Sequence, residues 1–295
     1  MLIACVQSDV TFANVAENRK RIAEHIHAAG KMQAKLVVMP ECMLCGYAYQ
    51  SRQDAWQHAV SIDDEVFIDI ANLAATYDLH LTFGFLEKSG DQLFNAAALV
   101  GPSGVVGRYR KVHLPALGVD RYVDRGDIPY QPLQAGDARV GMAICYDSSF
   151  PEPMRVLALG GADIIALGTN WPVTAYRTAE IVPPARSMEN HLFFVAANRV
   201  GSEGGFKFCG LSSICGPDGV ILAQSETDQP EILYADVNLA EARNKRIERT
   251  PGAHVIDRFE DRCPDFYQAV TAEKPTSVTG KSGNHGPDGP PAQSG

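Results

Sequence analysis

The chain has 295 residues, 45% of them hydrophobic, and a formal net charge of −9 from 26 Lys and Arg against 35 Asp and Glu. That length and composition support one large domain or two around a substantial core. The acidic balance argues against a nucleic-acid partner, which needs a basic face, and no apolar run is long enough to cross a bilayer. The first residues read as a strand and not as a secretory signal, so no membrane association and a cytoplasmic location are expected.

Residues 2–7 open the chain with a strand. Residues 15–29 have helical spacing, with Ile22, His25, Ile26 and Ala29 on one face, and Gly30 is expected to end that helix. Residues 36–39 form a buried strand that stops at Pro40 and delivers Glu41 to its C-terminal end. Residues 64–77 place Val66, Ile68, Ile70, Leu73 and Ala74 mostly on one helical side, and residues 80–85 form a strand. Residues 96–110 hold the turn Gly101-Pro102-Ser103-Gly104 between two strands. The apolar run 140–144 ends in Cys145, a polar turn follows, and Pro151 opens a helix, where its missing N–H would be unpaired anyway. Residues 162–167 and 192–198 are further buried strands, each after a helical stretch. Residues 211–223 repeat the hairpin logic around Gly216-Pro217-Asp218-Gly219, and residues 232–237 close the sheet system. Strands interleaved with helices and hairpins indicate an α/β chain with mixed sheets. Residues 275–295 carry five Gly and four Pro, with Val278 as the only large apolar side chain. A domain over 1–268 followed by a disordered tail over 269–295 is therefore expected.

The seven cysteines are Cys5, Cys42, Cys45, Cys145, Cys209, Cys215 and Cys263. An odd count fits free thiols better than a disulfide framework. The pair Cys42-x-x-Cys45 invites a zinc or redox reading. No second Cys/His pair lies at a zinc spacing and no βαβ start precedes it, so no metal site is expected.

Three stretches carry chemistry. Gly141-Met-Ala-Ile-Cys145-Tyr-Asp-Ser-Ser-Phe150-Pro-Glu152 places a thiol on the turn between a strand and a helix. A helix N-terminus and neighbouring backbone N–H groups favour thiolate and an oxyanion. That stretch taken singly fits a buried structural cysteine as well. Glu41 follows the strand at 36–39, and Gly107-Arg108-Tyr109-Arg110-Lys111-Val112-His113-Leu114-Pro115 delivers Lys111 from an extended segment. A carboxylate beside a thiol can take its proton and later a proton from water. A lysine can hold that carboxylate ionised and place positive charge near a developing oxyanion.

In this order the three motifs resemble the nitrilase (carbon–nitrogen hydrolase) superfamily. Its Glu-Lys-Cys triad falls on Glu41 in Pro-Glu-Cys-Met-Leu-Cys-Gly-Tyr, Lys111 in Arg-Lys-Val-His-Leu-Pro and Cys145 in Ile-Cys-Tyr-Asp. The resemblance covers residues 1–265 and continues in Asn170-Trp171-Pro172, in Arg186-Ser-Met-Glu189-Asn190 and in Ala197-Asn198-Arg199-Val200-Gly201. Many members carry a second glutamate between the lysine and the cysteine, for which Asp120 stands here, one methylene shorter.

The resemblance implies a single-domain α-β-β-α sandwich of two mixed sheets with helices outside, in a homodimer or larger homo-oligomer. It implies hydrolysis of a non-peptide C–N bond in small amides or N-carbamoyl compounds through a thioester on Cys145, with release of ammonia and without metal or organic cofactor. Glu41 would take the thiol proton, Lys111 and the backbone N–H of Tyr146 would hold the oxyanion, and Asp120 would position the water. Asn170 is a candidate substrate contact. Tyr47, Phe150 and Trp171 would wall the pocket, although residue type alone fits core packing equally. His113 is expected to support the lysine segment by hydrogen bonding, Asp147 and Glu152 to hold the cysteine turn, and Arg186 and Glu189 to pair on a helix face. A nitrilase with the same triad is the alternative activity. A catalytically idle binding protein is a third reading, disfavoured by the intact triad.

Overall fold

The first strand, β1 (Leu2–Gln7), sends alternate residues to opposite faces, and each face meets a different layer. Ile3 and Cys5 join a core with Val140, Met142, Ile144, Leu167 and Val195, whereas Ala4 and Val6 join one with Ile22, Ile26, Phe67 and Ile70. One face thus packs on a second sheet and the other on helices. The structure, a computed structural model, describes residues 1–272. The expected tail falls, from residue 273 onward, outside the described residues.

After β1 come α1 (Val15–Lys31), β2 (Leu36–Val38), α2 (Arg52–Gln57) and α3 (Glu65–Tyr77), then β3 (His80–Ser89), β4 (Gln92–Gly101) and β5 (Gly104–Arg110). The second half runs β6 (Leu133–Ala135), β7 (Ala138–Ile144), α4 (Pro151–Leu159), β8 (Ile164–Thr169), α5 (Tyr176–Asn190) and β9 (Phe193–Asn198). A short ribbon of β10 (Ser202–Glu203) and β11 (Phe206–Lys207) leads to β12 (Ser213–Cys215), β13 (Ile221–Gln224), β14 (Glu231–Asp236) and α6 (Leu239–Arg243). A second ribbon pairs β15 (Arg246–Thr250) with β16 (His254–Asp257).

Two six-stranded sheets result, in the orders β14-β1-β2-β3-β4-β5 and β13-β12-β9-β8-β7-β6. Each has a parallel centre, β1-β2-β3 in one and β7-β8-β9 in the other, extended by antiparallel strands. The sheets face each other through β1 on β9, β3 on β8 and β4 on β7; α1 and α3 cover the first sheet, and α4 and α5 cover the second. This is the α-β-β-α sandwich expected from the resemblance. Its layers form a unit from Met1 to Asp261. The chain from Arg262 is a separate unit whose described part holds a helical turn, Pro264–Phe266, and a short helix, α7 (Gln268–Thr271). Among the described residues no helix is long and apolar enough to cross a membrane.

Helix starts follow their caps: Asn14 accepts from Glu17 N, Asp64 accepts from Val66 N, and Pro151 opens α4. Two expectations need correction. α1 does not stop at Gly30 but runs through it to Lys31. Gly30 is there for packing, because a Cβ would lie 2.2 Å from Tyr77 Cγ. The strand expected over 80–85 extends to Ser89 and returns through Gly90 as β4, so the hairpin begins earlier than the Gly101–Gly104 turn suggests.

Candidate active site

Glu41, Lys111 and Asp120 arrive from different elements. Beyond β2, Met39 N donates to Thr82 O (2.9 Å) and Gly84 N donates to Pro40 O (3.0 Å), which keeps the segment against β3. A side chain at Gly84 would put Cβ 2.2 Å from Cys42 N, so only glycine admits this approach. Lys111 follows β5, and its N–H donates to Asn95 O on β4 (2.8 Å). Its neighbour Arg110 is anchored by Glu87 (2.8 Å) and Asp127 (2.9 Å). Asp120 lies on a helical turn, Gly118–Arg121.

These three side chains are fully buried and share their hydrogen bonds with Asn95. Lys111 Nζ donates to Glu41 Oε1 (2.7 Å) and to Asp120 Oδ2 (2.6 Å). Asn95 Nδ2 donates to the same Glu41 Oε1 (2.8 Å) and to Asp120 Oδ1 (2.9 Å). The Tyr47 hydroxyl adds a bond to Asp120 Oδ2 (2.7 Å). Glu41 Oε2 is left buried without a partner. Burial pushes Glu41 above the usual carboxylate range, against the pull of Lys111 and with the push of Asp120. Burial alone would lower Lys111, but the charges of Asp120 and Glu41 outweigh it and hold the ammonium well above its ordinary value. A buried carboxyl of raised basicity, with one open oxygen, suits proton transfer near neutral pH.

Cys145 directly follows β7, as the first residue of a helical turn, Cys145–Ser149, and has φ +44°, a left-handed conformation that a non-glycine residue adopts only under constraint. The constraint is visible around it. Ser148 Oγ donates to Cys145 O (2.7 Å), and Arg186 Nε of α5 donates to Ser148 O (2.9 Å). Arg186 also pairs with Glu189 (3.0 Å), as the spacing predicts. Asp147 is fully buried and accepts from Ile144 N (2.9 Å), the Tyr109 hydroxyl (2.8 Å), the Tyr130 hydroxyl (3.2 Å) and His113 N (3.2 Å), with His113 Nδ1 at 2.7 Å. Asp147 therefore ties the lysine segment to the cysteine turn. The charges of both Glu41 and Lys111 act on the Cys145 thiol. Burial, then the Glu41 charge, push that thiol up to about 12, against Lys111, the Thr169 hydroxyl and the Asn170 N–H. This corrects the expectation of a thiolate favoured by a helix end. The turn after Cys145 is a short helical one and α4 begins only at Pro151, so burial prevails and the sulfur stays protonated until a base acts.

The remaining candidates fall into groups. Tyr47 joins the carboxylate cluster through its hydroxyl, and its backbone N–H donates to Glu203 (2.6 Å). His113 stacks on Phe150 (ring centroids 4.0 Å), and Tyr146 meets Phe150 edge-on (5.1 Å). Both atoms of the Asn170 amide are buried without partners. Trp171 is buried in the core that also contains Cys145, and its backbone is clamped by Asn198, which accepts from Trp171 N (2.8 Å). Cys42 and Cys45 are free buried thiols, and among the described residues no group of three or more His, Cys, Asp or Glu is arranged to hold a metal. The sequence reading missed Asn95. Its signal was a lone polar residue inside the apolar run Leu93-Phe-Asn-Ala-Ala-Ala-Leu-Val100, all of it buried.

Residues 2–247 match the profile of the carbon–nitrogen hydrolase family. A protein of Pyrococcus abyssi named nitrilase is 35% identical over 266 residues, covering 90% of this chain and 98% of its own length. A citrullinase of Francisella tularensis subsp. tularensis is 29% identical over 276 residues, covering 87% of this chain and 93% of its own. The solved structure of the amidase from Nesterenkonia sp. AN1 is 26% identical and covers 92% of this chain and 99% of that one, with a TM-score of 0.77. In a variant of that amidase the acetamide moiety of fluoroacetamide is covalently added at the active-site cysteine. The chain belongs to the carbon–nitrogen hydrolase family, within the nitrilase superfamily, and is an enzyme of its amidase and nitrilase type.

Proposed function

We propose that this enzyme hydrolyses small amides or N-carbamoyl compounds through a thioester on Cys145. The observation that carries the reading is the single open oxygen of Glu41, Oε2, in a buried cluster whose charge also acts on the Cys145 thiol. Glu41 Oε2 takes the thiol proton as sulfur attacks the carbonyl carbon. Lys111 and the backbone N–H of Tyr146 stabilise the tetrahedral oxyanion. The protonated Glu41 hands its proton to the leaving nitrogen, and ammonia departs from a primary amide. Glu41 then takes a proton from water, which attacks the thioester. The acid leaves and the thiol recovers its proton. Both Asp120 oxygens are already engaged, which fits a role in holding Lys111 and in ordering the pocket more than a role as a base. The unpaired amide of Asn170 is suited to the polar end of the substrate.

Hydrolysis of a nitrile is the second reading, favoured by the Pyrococcus abyssi relative and open to the same thiol. A homo-oligomer is part of the proposal, supported by exposed Val156 and Leu159 of α4 and Tyr176, Ile181 and Met188 of α5. Ammonia release from a panel of simple amides, ureido acids and nitriles, with Cys145→Ala as control, tests the function. Turnover of amides or ureido acids that disappears in Cys145→Ala supports it. Turnover confined to nitriles selects the second reading, and turnover retained in Cys145→Ala rejects both.

A further inference from the structure

Asn95 touches every charged member of the cluster. Its carbonyl accepts the Lys111 N–H (2.8 Å), and its two amide protons go to Glu41 Oε1 (2.8 Å) and Asp120 Oδ1 (2.9 Å). Its remaining atom, Oδ1, accepts from Cys42 Sγ (3.6 Å), the residue that follows Glu41 in the chain. Asn95 is fully buried on β4, so water cannot replace these partners. The orientation of the amide is forced. Turned over, it would aim its oxygen at two carboxylates and its protons at a thiol.

We propose that Asn95 is a positioning residue for the hydrolysis: its two amide protons occupy Glu41 Oε1 and Asp120 Oδ1, so that only Glu41 Oε2 is open to the thiol, and Cys42 S–H fixes the amide that does this. The proposal rests on Glu41 acting as the base. An asparagine suits the task because it donates twice without adding charge. Two carboxylates and one ammonium leave the cluster net negative, which keeps Glu41 basic. A second cation at position 95 would hold the carboxylates in place but remove that basicity. An aspartate would add a third negative charge and no donor.

The test needs a readout that loose packing would not reproduce. Around Glu41 the titratable groups are Lys111, Asp120, Tyr47, Cys42 and Cys145. Alkylation of Cys145 by chloroacetamide, followed by intact-protein mass and peptide mapping from about pH 5 to about pH 9, reports Glu41 as the base without requiring turnover. The inflection in wild type should vanish in Glu41→Gln. In Asn95→Leu it should move up by about one pH unit, because the ionised carboxylate loses a donor, and the plateau rate should fall about tenfold or more. Cys42→Ala should move it the same way by less, and Cys42→Ser, which keeps a donor, should restore it. On the amide that wild type turns over fastest, Asn95→Leu should lower kcat about a hundredfold with little change in KM. A wild-type inflection and rate in folded Asn95→Leu overturns the proposal. If Asn95→Leu does not fold, an unchanged inflection in Cys42→Ala overturns it instead. Absence of turnover by wild type on every amide, ureido acid and nitrile would count against the proposed reaction alone, since the alkylation profile still reads the cluster.

Discussion

Glu41 and Asp120 share the donors Lys111 and Asn95, but they use them differently. Glu41 takes both on Oε1, whereas Asp120 takes one on each oxygen. The asymmetry leaves an open oxygen on Glu41 and none on Asp120, whose Oδ2 also receives Tyr47. Glu41→Gln should therefore slow acylation and deacylation together, each by about 10²–10⁴, the usual worth of a positioned base. Asp120→Asn should also slow both steps, because it acts through Lys111. Rapid-quench measurement of acyl-Cys145 formation and decay separates the steps. Acylation at the wild-type rate with accumulation of acyl-enzyme in Asp120→Asn would put Asp120 on the water instead.

The pH dependence follows from the same geometry. The base works only when ionised, so kcat/KM should rise with pH through the titration of Glu41. Burial raises that titration, and the acid limb should lie above the ordinary glutamate value of about 4.3. The thiol, pushed up to about 12, contributes no ionisation near neutrality, so a plateau should extend well past pH 7. A rate that climbs steadily between about pH 7 and about pH 9, tracking thiolate formation, would contradict proton transfer to Glu41.

The Glu-Lys-Cys motifs and the strand-and-helix alternation were legible because each is local: an apolar run that ends at Pro40-Glu41, another that ends at Cys145, and hairpin turns rich in Gly and Pro. The pairing of the two sheets was not local. It depends on Ile3 and Cys5 meeting Val140 and Ile144 more than a hundred residues away, which only the family resemblance supplied. Asn95 was missed for a related reason. A polar residue in a strand reads as an interruption until the strand's partners bring Glu41, Lys111 and Asp120 to it. The thiol at Cys145 was misjudged because the sequence shows the nearby helix start but not the burial that outweighs it.

Asp147 makes the cysteine turn depend on the lysine segment. It accepts from Ile144, Tyr109, Tyr130 and His113, and its removal leaves the buried Ile144 N–H unpaired and takes away the acceptor shared by Tyr109, Tyr130 and His113, whose hydroxyls and ring keep one another. Unpaired buried groups cost about 1–3 kcal/mol each, so Asp147→Ala should lose at least about 3 kcal/mol even after partial relaxation. Asp147→Asn should be nearly as harmful, because both oxygens are in use and the new NH₂ must face a donor. Thermal unfolding reports the stability, and the acylation rate of Cys145 reports the turn. Wild-type values for both in Asp147→Ala would show that the turn is held elsewhere, by Ser148 and Arg186.

Gly30 offers a test of packing far from the chemistry. Replacing a glycine inside a helix by alanine ordinarily stabilises it by about 1 kcal/mol. Here the new Cβ would lie 2.2, 2.4 and 2.7 Å from Tyr77 Cγ, Cδ1 and Cδ2. Retreat of the ring would give up the hydrogen bond between its hydroxyl and His27 Nδ1 (3.0 Å) and its edge contact with that imidazole. Overpacking of this kind costs about 1–3 kcal/mol, enough to cancel or reverse the gain in helix propensity. Gly30→Ala should therefore be neutral to destabilised in urea unfolding, with kcat unchanged. Tyr77→Ala removes the obstacle, so adding Gly30→Ala to it should stabilise the protein by about 1 kcal/mol, and the two changes should couple strongly in a double-mutant cycle. Simple additivity, with Gly30→Ala stabilising in both backgrounds, would mean that the ring yields freely and that the glycine has no packing role.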